Sequence, residues 1–184
     1  MRKWTQYQEI SRLWAAIQKE VSSRRSPLWT PTVATIEVSS PKQRTMVLRE
    51  ITPYNLVFFT DKRSDKCREI SAQPSVSVHS YNSKARTQIQ FYGTGLITTD
   101  HPKFEQWRLK GLNRAMDYAT IDNPGTKISN QANVDYNLDL AIDNFSLLIV
   151  TVQEIQLLRL GDPHKRCQWK RTQTDDWYKE WLVP

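Results

Sequence analysis

The chain has 184 residues, 39% hydrophobic and 24% charged, a globular balance that excludes a disordered chain and suffices for a core without disulfide or metal staples. The net charge of +7 would suit a polyanion, but no run of five Lys/Arg, no zinc-finger cysteines and no aromatic RNA-binding motif supports a nucleic-acid-binding module. The longest apolar run, Phe145 to Val152, is far short of the roughly 20 residues that span a bilayer, no signal-peptide core follows the basic start, and Cys67 and Cys167 lack CxxC spacing, so a cytoplasmic protein in a reducing compartment is expected.

In chain order, Trp4, Tyr7, Ile10, Leu13, Trp14, Ile17 and Val21 recur at three- and four-residue intervals, which predicts a helix over 4–23, ended by serines and Pro27. The period then changes to two. Thr32 to Ser39 reads as a strand, Pro41-Lys42-Gln43 as a turn, Arg44 to Ile51 as a second strand, Pro53-Tyr54-Asn55 as a turn and Leu56 to Thr60 as a third strand. A short helix beginning near Ser64 is stopped by Pro74. Val76 to Tyr81 and Thr87 to Ile97 alternate as strands, and His101 to Tyr118 carries a helical stripe of Phe104, Trp107, Leu109, Leu112 and Met116. The stretch 119–137 reads as a loop or broken helix, followed by a long strand from Phe145 to Leu160 and two short ones around Cys167 to Arg171 and Trp177 to Leu182. Short turns between strands imply antiparallel pairing, and many strands with few helices imply a mainly β fold, a small closed or split barrel over 32–184 within one domain of 1–184.

Several chemistries lack their motifs. Gly93-Thr94-Gly95 continues as strand rather than as GxGxxG, Pro124-Gly125-Thr126-Lys127 lacks the upstream glycine of a Walker loop, and neither GxSxG nor HExxH occurs. His79, His101 and His164 are too far apart in sequence to suggest a metal site.

Three segments do carry chemistry. Arg44-Thr45-Met46-Val47-Leu48-Arg49 is an otherwise apolar strand with two arginines, which suits an anion at its surface. Phe59 and Thr60 lead into a basic turn, where Lys62, Arg63 and Lys66, the hydroxyls of Thr60 and Ser64 and the start of a helix together suit a phosphate. In the third, His164 to Arg171, strand alternation puts His164 and Arg166 on one face with Gln168 and Lys170.

The order RTMVLR, FFT, S-D-K, TQIQFYG, HKRCQWKR and terminal WLVP resembles the pyridoxamine 5′-phosphate oxidase family of FMN-binding split barrels, over residues 10–184 and closest to its divergent branch. The resemblance implies an antiparallel split barrel that binds FMN. Arg44 and Lys66 would hold the FMN phosphate, and the Arg44, Thr45, Met46, Val47, Leu48 stretch would line the flavin with Phe59, Thr60 and Ser64. Gln88 would stand at the ring, with Gln131 and Arg166 as further flavin contacts. His164 and Arg166 would face the substrate, and Arg49, in place of a lysine, its phosphate. It also implies a homodimer with FMN at the subunit interface, the second copy contributing Gln131, His164 and Arg166.

The chain departs from the family pattern at several places. Ala132 replaces a serine, Asp65 a basic residue, Leu158 a tryptophan and Asp162-Pro163 an Arg-Leu pair that helps bind pyridoxal; Trp107 and Arg114 are the only stand-ins for the rest of the substrate-phosphate site. The FMN half of the site is thus more complete than the vitamin half. The expected function is an FMN-dependent oxidoreductase acting on a small molecule, with a non-oxidase FMN protein or flavin reductase of the same fold as the alternative.

Overall fold

The computed structural model describes residues 2–52 and 54–184, with side chains of the first helix described from Ile10 onward. Trp4, Tyr7 and Pro53 therefore fall outside the described side chains and residues. The first helix, α1 (Arg2–Val21), is followed by β1 (Thr32–Glu37), β2 (Ser40–Thr45), β3 (Leu48–Thr52), β4 (Asn55–Asp61) and α2 (Asp65–Ala72). Then come β5 (Ser75–Asn82), β6 (Thr87–Thr98), α3 (Phe104–Leu112), α4 (Leu140–Asn144), β7 (Phe145–Arg159), β8 (Lys165–Arg171) and β9 (Trp177–Leu182). The strands pair antiparallel in the order β2-β1-β5-β6-β7-β4-β3, and β8 and β9 branch from β7.

The branch explains the architecture. The first half of β7 lies between β4 and β6, while its second half, from Glu154 to Arg159, lies between β6 and β8. The split falls at a register shift opposite Gly93, where a Cβ would sit 2.0 Å from the Thr151 carbonyl oxygen, so glycine is required there. At the other seam, β2 and β3 end the path at opposite edges yet are joined only by Met46 and Val47. A gap that short spans at most about 11 Å between Thr45 and Leu48. The sheet must therefore curl until its edges nearly meet, which makes a barrel that stays open along one side. α1 rests against both β3 and β9 and sends Ile10, Trp14, Ile17 and Val21 into the core beside Leu48, Phe58, Phe91 and Trp177. A second apolar cluster of Val57, Trp107, Tyr118, Phe145 and Leu147 lies between α3 and β7.

The structure corrects five expectations. The first turn lies at Val38-Ser39, with Val38 at φ +59° and almost wholly exposed, and Pro41 to Gln43 belong to β2. Pro41 is accommodated because β2 is an edge strand, where its missing N–H breaks no ladder. The strand over 44–51 is two strands, because the chain passes from one sheet edge to the other at Met46-Val47. The helix over 101–118 stops at Leu112, and a separate 3-10 turn follows at Ala115–Tyr118, so Met116 leaves the stripe and is exposed; Leu109, within the helix, is exposed as well. Gly111 brings α3 tightly onto Phe145, where a Cβ would lie 2.3 Å from the ring. α4 was not expected. His164 lies before β8 and so outside its alternation. No described helix is long and apolar enough to cross a membrane.

Candidate functional site

One pocket of about 360 Å³ opens where β2 meets the start of α2, and Arg44, Ser64 and Lys66 all line it. One strand, β2, and the start of α2 bring these residues together. Arg44, near the end of β2, lies on the same side of the chain as the core residue Met46 just beyond it. Its guanidinium donates to the Glu69 carboxylate at 2.7 Å and to the Thr35 hydroxyl, which itself donates to Glu69. Burial works to raise the Glu69 carboxyl, but bonds from Thr35 and Arg44 outweigh it and hold the group below its ordinary value. Arg44 is thus a paired cation.

Lys66 is different. Its ammonium donates to the Ser64 hydroxyl at 2.7 Å, and burial, with Arg44 nearby, lowers its pKa. The other charges lining the pocket are matched: Glu37 with Lys42, Glu69 with Arg44, and Asp65 with Arg68 outside it. No side chain caps the first turn of α2, since the Ser64 hydroxyl donates to the Asp61 carbonyl instead. Free N–H groups and an uncompensated ammonium therefore meet in one concavity, a site for an anion.

The neighbouring basic turn contributes less than its composition promised. Arg63 donates to Asp61 at 2.7 Å and 3.0 Å and to the Thr120 carbonyl oxygen at 2.9 Å, fastening the 119–137 loop rather than facing the pocket. Lys62 does not line the pocket, and the buried Thr60 hydroxyl donates to the Asp61 carbonyl. Met46 and Leu48 are buried in the core, so the Arg44–Leu48 stretch offers a ligand the exposed side chain of Thr45, the half-buried Val47 and main chain.

A second group forms on the outer face of the branched sheet. Gln88, Leu158 and Arg166 stand side by side on β6, β7 and β8. Gln88 donates to Gln90 at 2.9 Å, Arg166 donates to Gln156 at 2.9 Å, and Gln156 donates to Glu154 at 2.7 Å. This row is half-buried, and its two polar members are held by the polar side chains of the neighbouring row. Thr45, on β2, belongs to a cross-sheet row that runs through Thr32 and His79 to Gln90, so the face carrying Gln88 continues to the strand carrying Arg44. That run crosses three strand spacings, about 14 Å.

The remaining predicted residues are scattered. His164 is exposed, its Nδ1 against the Gly161 carbonyl oxygen, and Gln131 is exposed in a 3-10 turn. Arg49 falls at a register shift between β3 and β4, with its guanidinium 5.1 Å from the centre of the Phe59 ring and its Nε buried without a hydrogen bond. Burial pushes the Tyr118 phenol up to about 12, with Arg49 acting in the opposite direction. Trp107, a suggested stand-in for the substrate side, is buried and donates to Glu50 at 2.7 Å. Glu69 and Thr35, which set the state of Arg44, were missed. Nothing in their local sequence marks them, because only the fold places α2 over β1.

A profile of the pyridoxamine 5′-phosphate oxidase FMN-binding domain matches residues 7–99, a segment that holds Arg44, Lys66 and Gln88. Pyridoxine/pyridoxamine 5′-phosphate oxidase 2 of Hydrogenovibrio crunogenus is 24% identical over 169 residues, covering 80% of this chain and 75% of that protein. Among solved structures, a pyridoxamine 5′-phosphate oxidase-related FMN-binding protein of Nostoc punctiforme superimposes with a TM-score of 0.73 at 23% identity, covering 92% of this chain and 96% of that one. PhzG of Burkholderia lata, solved with tetrahydrophenazine-1-carboxylic acid, gives 0.73 at 16% identity, covering 96% and 91%. Both matches share the overall fold of this chain. With half of its length matched by the profile, this chain belongs to the pyridoxamine 5′-phosphate oxidase FMN-binding domain family.

Proposed function

We propose that this chain binds FMN through its phosphate at the start of α2 and works as an FMN-dependent oxidoreductase on a small molecule. The observation that carries this reading is Lys66, a half-buried ammonium whose one side-chain hydrogen bond is to a hydroxyl, in a pocket whose other charges are paired. A phosphate fits there: it completes Lys66, accepts from the uncapped first turn of α2 and leaves Arg44 a second acceptor. Bound FMN would supply the two-electron chemistry that no side chain here provides. Arg166, on the row with Gln88, adds positive charge that favours the electron-rich state of a flavin, and the exposed Thr45 and half-buried Val47 border its path between the two ends.

The reading includes a second copy of the chain. Gln131 and His164 are exposed and Arg166 is half-buried on an open sheet face, and a two-fold partner would bring a second set over each flavin. FMN would then bridge the copies and favour the assembled state. The test is flavin content and sedimentation of the purified protein, then anaerobic addition of pyridoxamine 5′-phosphate. Colourless protein that takes up no FMN sinks the reading. So does a flavin-loaded monomer, for its dimeric part.

A narrower point concerns the substrate. Asp162 immediately precedes Pro163 and His164, and a carboxylate there repels a phosphorylated substrate at short range. This favours an FMN enzyme or flavin reductase with a different substrate. Weak bleaching by pyridoxamine 5′-phosphate is expected, and kcat/KM of about 10⁴ M⁻¹s⁻¹ or more would overturn it.

A further inference from the structure

The sheet that carries Gln88 and Arg166 on its outer side carries something else on its inner side. Ile89 and Leu157 are paired one residue away from Gln88 and Leu158, and therefore face the other way. There the last two turns of α1 stand off the strands and leave a groove with an apolar part of about 240 Å³. Leu13, Ile17, Leu28, Ile89 and Leu157 give it aliphatic walls, and among the described residues no aromatic ring lines it. Its mouth, a further hollow of about 390 Å³, is lined by Lys19, Arg25 and Lys84. Glu20 is the one carboxylate lining either part, and it accepts a hydrogen bond from the Ser26 hydroxyl at 2.9 Å. Among the described residues, none of those three cations is held in an ion pair.

We propose that this groove binds a medium-chain aliphatic carboxylate, its chain along α1 and its head at the Lys19–Arg25–Lys84 mouth. Three observations converge on that chemistry. Aliphatic walls without aromatics suit a flexible chain better than a flat ring. An apolar cavity of about 150 Å³ already holds a benzene-sized molecule, so this one has room for roughly eight carbons. Three unpaired cations against one hydrogen-bonded carboxylate select an anionic head over a cationic or neutral one. The site lies across the thickness of the sheet from the flavin row, so it stands whether or not FMN binds.

The test titrates the purified full chain with octanoate by calorimetry, using octylamine and octanol as head-group probes. Octanoate is expected to bind at least about tenfold more tightly than either. Ala16→Trp adds bulk at the exposed rim of the groove, so it spares the core and is expected to weaken octanoate at least about tenfold without changing flavin content. Lys84→Glu is expected to weaken octanoate and narrow its advantage over octylamine. Equal binding of the three probes, no binding of octanoate at millimolar concentration, or unchanged affinity in both variants overturns the site. Dissociation of an assembled form by Ala16→Trp alone also overturns it, because the groove would then be the seat of a second copy.

Discussion

The two ends of the candidate flavin site are built on different principles. At the phosphate end, a helix start, a half-buried ammonium and an arginine already paired with Glu69 meet within one chain. At the ring end, Gln88, Leu158 and Arg166 lie in a row on an open sheet face, with His164 and Gln131 exposed on loops. The first end is set by the chain's own packing, whereas the second supplies parts that only another surface can close over. Affinity for the phosphate should therefore belong to the protomer, and control of the ring to the assembly.

Substitutions break that contrast in graded ways. Arg44→Ala has the largest expected effect, because it strands the buried Glu69 carboxylate with only Thr35. It should cost about 3 kcal/mol in urea unfolding and weaken FMN at least about tenfold. A loss of flavin affinity with unchanged stability would show that the Arg44–Glu69 pair does not support the fold. Lys66→Met should weaken FMN comparably but act oppositely on the apo fold. Removing a desolvated ammonium is expected to raise Tm by roughly 2–4 °C, the scale of about 1 kcal/mol for a chain of this size. A fall in Tm would mean that the ammonium holds α2 in place.

Arg166→Ala sharpens the other side. It should weaken FMN by about 1.5 kcal/mol with little change in Tm, and only at protein concentrations where the dimer forms. An equal loss in dilute monomer would place Arg166 against its own chain's flavin.

The smallest effects are in pH. Glu50 is held below its ordinary value: burial works to raise it, but Lys103 and Trp107 outweigh burial. Glu69 is held down in the same way. Both therefore contribute stability above the unfolded carboxylate value of 4.5, and that contribution is lost as pH falls through their folded values. Glu50→Gln should flatten the acid limb of a Tm–pH curve. On the alkaline side, FMN affinity should decline below the ordinary lysine value of 10.5, because Lys66 gives up its proton early.

Much of this was legible in the sequence, and what was not has physical reasons. Period-two alternation survives wherever one strand face is buried, as in β5 and β6. The Ser64 start of α2 was legible because turn chemistry is local. The turn at Val38 was not, since a valine reads as strand and Pro41 as turn, while the observed roles are reversed by the position of β2 at an edge. The break at Met46-Val47 left no mark either, because the inward and outward alternation of Arg44 to Arg49 continues through it. His164 and Arg166 looked like one face of a strand, but β8 begins between them. Glu69 was illegible because its role depends on a strand more than thirty residues upstream.

The two-residue crossing at Met46-Val47 has a consequence for the order in which the chain acquires its shape. Segments adjacent in sequence are sent to opposite rims of the sheet, and β4, just beyond the crossing, has its second neighbour in β7, some ninety residues later. Residues up to 99 hold most of the phosphate end, yet on their own they leave the β3–β4 hairpin with no strand to dock on. Such non-local closure makes for slow, all-or-none folding, since loop entropy is spent before the late strand rewards it. A nascent chain would then have to wait for β7 to emerge before β4, which leads into the start of α2 at the anion pocket, has its second neighbour.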